Sequence, residues 1–227
     1  MGMDNGGVLL FGFEPFLQFK ENPSWKIVKA LDGKTVGGRK ITGRILPVDY
    51  GMIEQLIVRD IEEHDPSVVI GTGLAAGRSL LSVEKIAVNY KHSEEPDNKG
   101  RKEEGGLIDG DAPDGMFSNL SPEESAALLN RAGIPAAVSL SAGAYLCNFA
   151  MFIITRESRK RGFTGGFVHV PCDEEMASKH EYRRFPFMSL ESMKKGITII
   201  IENALKGKET DAHGHKSMPG EQKTAGR

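Results

Sequence analysis

Ala136-Ala137-Val138-Ser139-Leu140-Ser141-Ala142-Gly143-Ala144-Tyr145-Leu146-Cys147-Asn148-Phe149-Ala150-Met151-Phe152 reads as a strand that breaks into a helix. The first half is short, small and β-branched. The second half runs on through Ile153, Ile154 and Thr155 to a charged end, Arg156-Glu157-Ser158-Arg159-Lys160-Arg161, and stops at Gly162. The pattern predicts a strand over 136–140 and a helix over 145–161, with cations where the helix dipole favours them. Cys147 then falls in the first helical turn, where the positive end of the dipole favours thiolate. Twenty-two residues later His169 stands inside an apolar strand, Gly166-Phe167-Val168-His169-Val170-Pro171. A lone Cys with a His elsewhere in the chain is a candidate nucleophile and base.

Outward from this stretch the elements alternate. Val8 to Phe13 is a short apolar run, as in a buried strand. Pro23 to Leu31 is a helix ended by Asp32-Gly33, and Lys40 to Leu46 a strand. Tyr50 to Glu63 has helical spacing through Ile53, Leu56, Ile57 and Ile61, and Ser67 to Gly71 is a second buried strand. Ser121-Pro122-Glu123-Glu124 has the form of a capping box, and Gly133 closes that helix. Phe167 to Pro171 is a strand. Ser189 caps a last amphipathic helix carrying Met193, Ile197, Ile200, Ile201 and Leu205. Strands alternating with helices predict one α/β domain over residues 1–206, a largely parallel twisted sheet with helices on both faces. Ligands of such sheets bind at the carboxyl ends of strands, and Cys147 and His169 both fall near such ends. Residues 91–120 are polar and read as a long loop, either a lid or interface segment or a disordered one. Residues 207–227 lack apolar periodicity and read as a disordered polar tail. His213-Gly214-His215 within it reads as two solvated histidines rather than a metal site.

The composition narrows the class. In 227 residues, 29 basic side chains against 31 acidic ones leave a net charge of −2, with no field to steer nucleic acid. Two cysteines make no disulfide framework, and Cys172 reads as a small buried hydrophobe rather than a bridge partner of Cys147. The start of the chain lacks the basic region of a signal peptide. Gly6 stands where a myristoylation signal wants Ser or Thr. No apolar run approaches the roughly 18 residues of a membrane span. The expectation is a cytoplasmic chain without membrane or nucleic-acid partners.

A third chemical residue lies upstream. Val83-Glu84-Lys85-Ile86-Ala87-Val88-Asn89 has strand character, and its period of two puts Glu84 on the face of Ile86 and Val88. If that face is buried, the carboxylate needs a partner. A histidine answers the need, and so does an ion pair with Arg78 or Lys85. Taken singly, each of the three residues also has a plain structural reading: a buried thiol, a satisfied core histidine, an ion-paired carboxylate.

Together the blocks resemble one family. Gly12-Phe13-Glu14-Pro15-Phe16 with Asn22-Pro23-Ser24, Gly73-Leu74-Ala75-Ala76-Gly77-Arg78 running into Val83–Asn89, Ser141–Asn148, and Phe167–Pro171 match in order and spacing the pyroglutamyl peptidase I family of cysteine peptidases. The resemblance covers roughly residues 7–206. It implies that Cys147 attacks the carbonyl joining an N-terminal pyroglutamate to the next residue. His169 would keep the sulfur as thiolate and protonate the leaving amine, and Glu84 would fix the His169 tautomer. It implies no cofactor and no metal. Phe13 and Phe16, three apart around Pro15, would sandwich the lactam ring. Asn22 would help hold it, and Tyr145 and Leu146 would form the wall beside the nucleophile. The implied partners are peptides with N-terminal pyroglutamate and further copies of the chain, as a dimer or tetramer.

Three departures from the family pattern stand out. Glu94 occupies a position where many members carry Arg, and a like charge there would oppose thiolate and oxyanion. Either Lys91, His92 or Arg101 stands in, or the loop turns Glu94 and Glu95 outward. Leu74 replaces a Gln of some members, and Leu17-Gln18 replaces two glycines. Two other readings follow from these. One is a catalytically weak or inactive relative that binds blocked peptide N-termini. The other is a thiol amidase for a different cyclic amide.

Overall fold

The structure, a computed structural model, describes residues 6–16, 19–179, 181 and 184–213. Its centre is a seven-stranded sheet. Strand β1 (Val8–Phe13) is followed by helix α1 (Pro23–Leu31), the short β2 (Thr35–Val36), β3 (Arg39–Leu46) and α2 (Ile53–His64). Then come β4 (Val68–Leu74), β5 (Leu81–Glu84), β6 (Ile86–Val88), β7 (Gly115–Phe117) and α3 (Pro122–Arg131). The chain closes with β8 (Ala136–Ser139), α4 (Leu146–Arg161), β9 (Thr164–Val170), α5 (Glu174–Ser178) and α6 (Leu190–His213). The sheet order is β2-β3-β1-β4-β9-β5-β8, and β6 and β7 form a separate ribbon. Strands β3, β1, β4 and β9 run parallel, β5 turns antiparallel to β9, and β8 follows β5 in parallel.

Both sheet faces are covered. Alternate residues of β1 divide between two cores, Val8 and Leu10 to one, Leu9, Phe11 and Phe13 to the other, as the period of a strand requires. The first core takes α1, α3 and α6, and the second takes α2 and α4. Helix α4 buries the run from Phe149 to Ile154, which is why that stretch is apolar all round.

The structure corrects four expectations. Val83 to Asn89 is not one strand: β5 ends at Glu84 in the main sheet, and β6 pairs with β7 outside it. Lys85 is the hinge, its N–H donating to Ser139 O and its carbonyl accepting from Ser118 N–H. Glu84 is therefore fully buried while Ile86 and Val88 are only half-buried. Ser121 makes no capping bond, because its backbone is left-handed (φ 48°) and turns the hydroxyl away from the first-turn amides. The second buried strand runs on past Gly71 to Leu74, since its glycines mark close approaches rather than an end. Helix α6 continues to His213, seven residues into the expected tail, because Lys and Glu sustain a helix without an apolar face. The rest of that tail, with the second histidine of the His213-Gly214-His215 motif, lies outside the described residues, as does the Leu17-Gln18 departure. Within 91–120 only β7 is regular, but the segment is tied down by side chains. Asp97 accepts from the backbone of Tyr50, Lys99 and Arg101, and Asn89 accepts from Ile108 and Asp109.

Candidate active site

The carboxyl ends of the parallel strands build one floor. Phe13 ends β1, Leu74 ends β4, and His169 is next to last in β9. Gly73 of β4 is the register partner of His169. A Cβ on Gly73 would stand 2.8 Å from Cys147 Sγ and 3.0 Å from the Phe167 ring, so the missing side chain is the space the sulfur occupies. Cys147 is the second residue of α4, and Tyr145 caps that helix in an extended conformation. The amide of Phe149 is the first to find a helical acceptor, Tyr145 O at 3.1 Å. The amides of residues 146–148 therefore face out of the helix start beside the sulfur. Asn148, fully buried, locks this start to β6: its Oδ1 accepts from Val88 N–H, and its Nδ2 donates to Val88 O and Tyr90 O.

His169 and Glu84 meet across β5 and β9. Ser82 is the register partner of His169, and Glu84 lies two residues along β5 on the same face, a diagonal that a long side chain spans. His169 Nδ1–H donates to Glu84 Oε1 at 2.7 Å, which leaves Nε2 as the free ring nitrogen. Arg78 Nη1 donates to the same oxygen at 2.7 Å. Burial pushes the Glu84 carboxyl up, but the bonds from His169 and Arg78 outweigh it and hold the group below the usual carboxylate range. The Glu84 side chain thus meets two of the partners foreseen, His169 and Arg78. Lys85 pairs instead with Glu123.

The thiol departs from expectation. Burial pushes Cys147 up to about 12, the charge of Glu84 adds to this, and Arg78 opposes it. The helix dipole at the start of α4 acts in the opposite sense, toward thiolate. Glu94 does not enter this balance. It is exposed, its carbonyl accepts from Lys102, and with Glu95 and His92 it lines a separate cleft on the far side of Tyr145. Lys91 and Arg101 are both committed to Glu103, at 3.2 and 2.5 Å. The cation that bears on the sulfur is Arg78.

Beside Cys147 lies a narrow apolar pocket lined by Phe13, Phe16, Asn22, Val48, Leu74, Tyr145 and Leu146. All five residues singled out as pocket positions are brought together here. Tyr145 packs against Phe16 (ring centroids 6.3 Å) and donates its hydroxyl to Pro96 O. Asn22 plays a more structural part than expected. Only 1% exposed, it caps α1 through Oδ1, which accepts from Ser24 N–H and Oγ–H, and its Nδ2 donates to Glu14 O. One Nδ2 hydrogen is left for a ligand. Val48 went unnoticed in the sequence, although it follows the carboxyl end of β3. Glu14 Oε1 pins it, accepting from Val48 N–H at 3.0 Å and Asn98 Nδ2 at 2.7 Å.

Cys172 is a fully buried free thiol, and Cys147 is also unbridged. Among the described residues the carboxylates of Glu21, Asp173 and Glu175 converge, and the Lys26 ammonium already sits 2.6, 2.8 and 2.7 Å from them. That cation occupies the place a metal would need. No described helix is long and apolar enough to cross a membrane.

The chain is similar to known proteins over most of its length. The pyroglutamyl peptidase family model matches residues 7–207. Pyrrolidone-carboxylate peptidase 2 of Saccharolobus solfataricus is 52% identical over 202 residues, spanning 89% of this chain and 96% of the relative. The pyrrolidone-carboxylate peptidase of Pyrococcus furiosus is 39% identical over 206 residues, spanning 87% of this chain and 99% of the relative. A crystal structure of the Pyrococcus furiosus pyrrolidone carboxyl peptidase superimposes with a TM-score of 0.85, covering 88% of this chain and 99% of that one.

Proposed function

The chain belongs to the pyroglutamyl peptidase family and is a cysteine hydrolase of the pyroglutamyl-peptidase I type; on that premise we propose how its residues divide the work. The substrate is a peptide whose N-terminal pyroglutamyl ring enters the apolar pocket between Phe13, Phe16 and Tyr145. A neutral lactam suits such a pocket, whereas an N-terminal ammonium would lose its hydration without gaining a counter-charge.

His169 Nε2 takes the thiol proton as Cys147 Sγ attacks the pyroglutamyl carbonyl carbon. Glu84 holds the Nδ1–H tautomer and supports the imidazolium. The amides at the start of α4 face the oxyanion of the tetrahedral intermediate. The C–N bond breaks as His169 returns the proton to the leaving amine, giving a thioester on Cys147. Water, deprotonated by His169, then releases pyroglutamic acid. The observation that carries this reading is the 2.7 Å bond between His169 and a buried Glu84 across β9 and β5, with Cys147 Sγ over Gly73, the register partner of His169 on β4.

Two free thiols suit a reducing compartment, the cytoplasm. The exposed Leu107 and Phe117 of the 91–120 segment support a homo-oligomer, a dimer or tetramer, to be checked by sedimentation. The functional test is hydrolysis of a pyroglutamyl fluorogenic amide with and without thiol alkylation, beside a free N-terminal glutamine control. Cleavage of the pyroglutamyl amide alone, lost on alkylation, is expected. Cleavage that survives alkylation would overturn the thiol mechanism. The inactive-relative reading leaned on Glu94, which faces another cleft, and nothing in the site favours it.

A further inference from the structure

Arg78 lies in the turn after β4, its N–H donating to Ala75 O at 2.9 Å. Its guanidinium reaches two places at once. Nη1 donates to Glu84 Oε1 at 2.7 Å, and Nη2 donates to Ser141 O at 3.1 Å. The first is the oxygen that also accepts from His169. The second belongs to the segment that leads, six residues later, to Cys147. We propose that Arg78 is a positioning residue for the reaction, one planar group that joins the carboxylate end of the triad to the loop delivering the nucleophile and offsets the Glu84 charge beside it. The proposal rests on the triad reading given above.

Three physical arguments support it. Glu84 has no exposed surface, and a buried carboxylate needs compensation that a single His169 N–H supplies only in part. Arg78 supplies a full positive charge within hydrogen-bond distance. The two bonds also demand a fork. Arg presents donors in fixed divergent directions, so holding Glu84 and Ser141 together sets the distance between the histidine's anchor and the nucleophile loop. A lysine could bring the charge but not the span. Lastly, the groups that bear on the sulfur are the Glu84 carboxylate from the sheet, the Tyr50 and Tyr145 phenols, and Arg78. Of these, Arg78 is the permanent cation, and it favours negative charge on sulfur against Glu84.

The test compares wild type, Arg78→Ala and Arg78→Lys. The readouts are steady-state kinetics on a pyroglutamyl coumarin amide and the pH dependence of iodoacetamide alkylation, which reports Cys147 because Cys172 is fully buried. For Arg78→Ala, kcat should fall roughly 10- to 100-fold, the effect of losing a charged hydrogen bond, with KM nearly unchanged. Its alkylation profile should move to higher pH. The Arg78 side chain is 32% exposed, so added guanidinium ion at non-denaturing concentration should restore part of kcat. Arg78→Lys should show reduced kcat with a smaller displacement of the profile. Unchanged kcat in Arg78→Ala would overturn the proposal. So would a loss of kcat with the alkylation profile in place and no recovery by guanidinium. Thermal melts check folding, and if Arg78→Ala unfolds, Arg78→Lys decides, wild-type kcat there overturning the bridge. The alkylation profile needs no substrate, so a wild type inert toward the amide sinks the functional reading separately.

Discussion

His169 Nδ1 lies 2.7 Å from Oε1 of Glu84, a carboxylate with no exposed surface. The bond fixes which ring nitrogen faces the nucleophile. Glu84→Gln keeps the shape but offers an amide that can donate to Nδ1 and stabilise the wrong tautomer. We predict a loss of kcat on the order of 10³-fold or more with little change in KM. A variant within a few-fold of wild type in steady-state kinetics would show that Glu84 serves structure alone.

Gly73 leaves room for the sulfur. Gly73→Ala puts a methyl 2.8 Å from Sγ and 3.0 Å from the Phe167 ring, and one of them must move. A displacement of this size costs on the order of 100-fold in kcat. The melting temperature should fall only modestly, because a rotamer change of Cys147 relieves the clash. Full activity would mean that the sulfur reacts from another position.

Phe13 serves both core and pocket. It is 3% exposed, packs on Phe167 with ring centroids 6.4 Å apart, and faces the cavity. Phe13→Ala should raise KM for small pyroglutamyl amides and also cost about 3–5 kcal/mol of stability, the usual range for a buried Phe. Destabilisation with an unchanged KM would assign the ring to the core alone.

Stability should fall at both ends of the pH scale for identifiable reasons. Glu84 is held below its unfolded value of about 4.3, so its contribution is complete above that pH and is lost as pH falls through the folded value. Cys147 is raised to about 12 from an unfolded value near 8.5. The fold therefore favours the neutral thiol, and stability declines as pH rises between those values. Melting curves of Cys147→Ser should decline less on the alkaline side, and those of Glu84→Gln less on the acid side. Parallel curves for all three proteins would remove these groups from the pH dependence.

The site was more legible than its surroundings. Cys147 at a helix start and His169 near a strand end follow from apolar periodicity, and the five pocket residues from matched motifs converge on one cavity. Val48 could have been found from the rule that ligands sit at the carboxyl ends of parallel strands, since it lies just beyond β3. Leu74 stands out in the sequence only as a substitution, because the apolar pattern ends the strand at Gly71, whereas Gly71 and Gly73 are places where Phe167 and Cys147 press against the backbone. The break at Lys85 had no local signal. Partners outside the segment set it, with His169 and Arg78 holding Glu84 and Ser118 capturing the Lys85 carbonyl. The upward push of burial on the Cys147 thiol was likewise hidden, because the dipole is a local property and burial is not.

The most direct test is to look for the thioester itself. Acid quenching during turnover of a pyroglutamyl amide, followed by peptide mass spectrometry, should find a single pyroglutamyl group on the peptide containing Cys147. The same experiment on Cys147→Ser should find none and no turnover. Turnover at wild-type rate in Cys147→Ser, or the adduct on any other residue, would contradict the account.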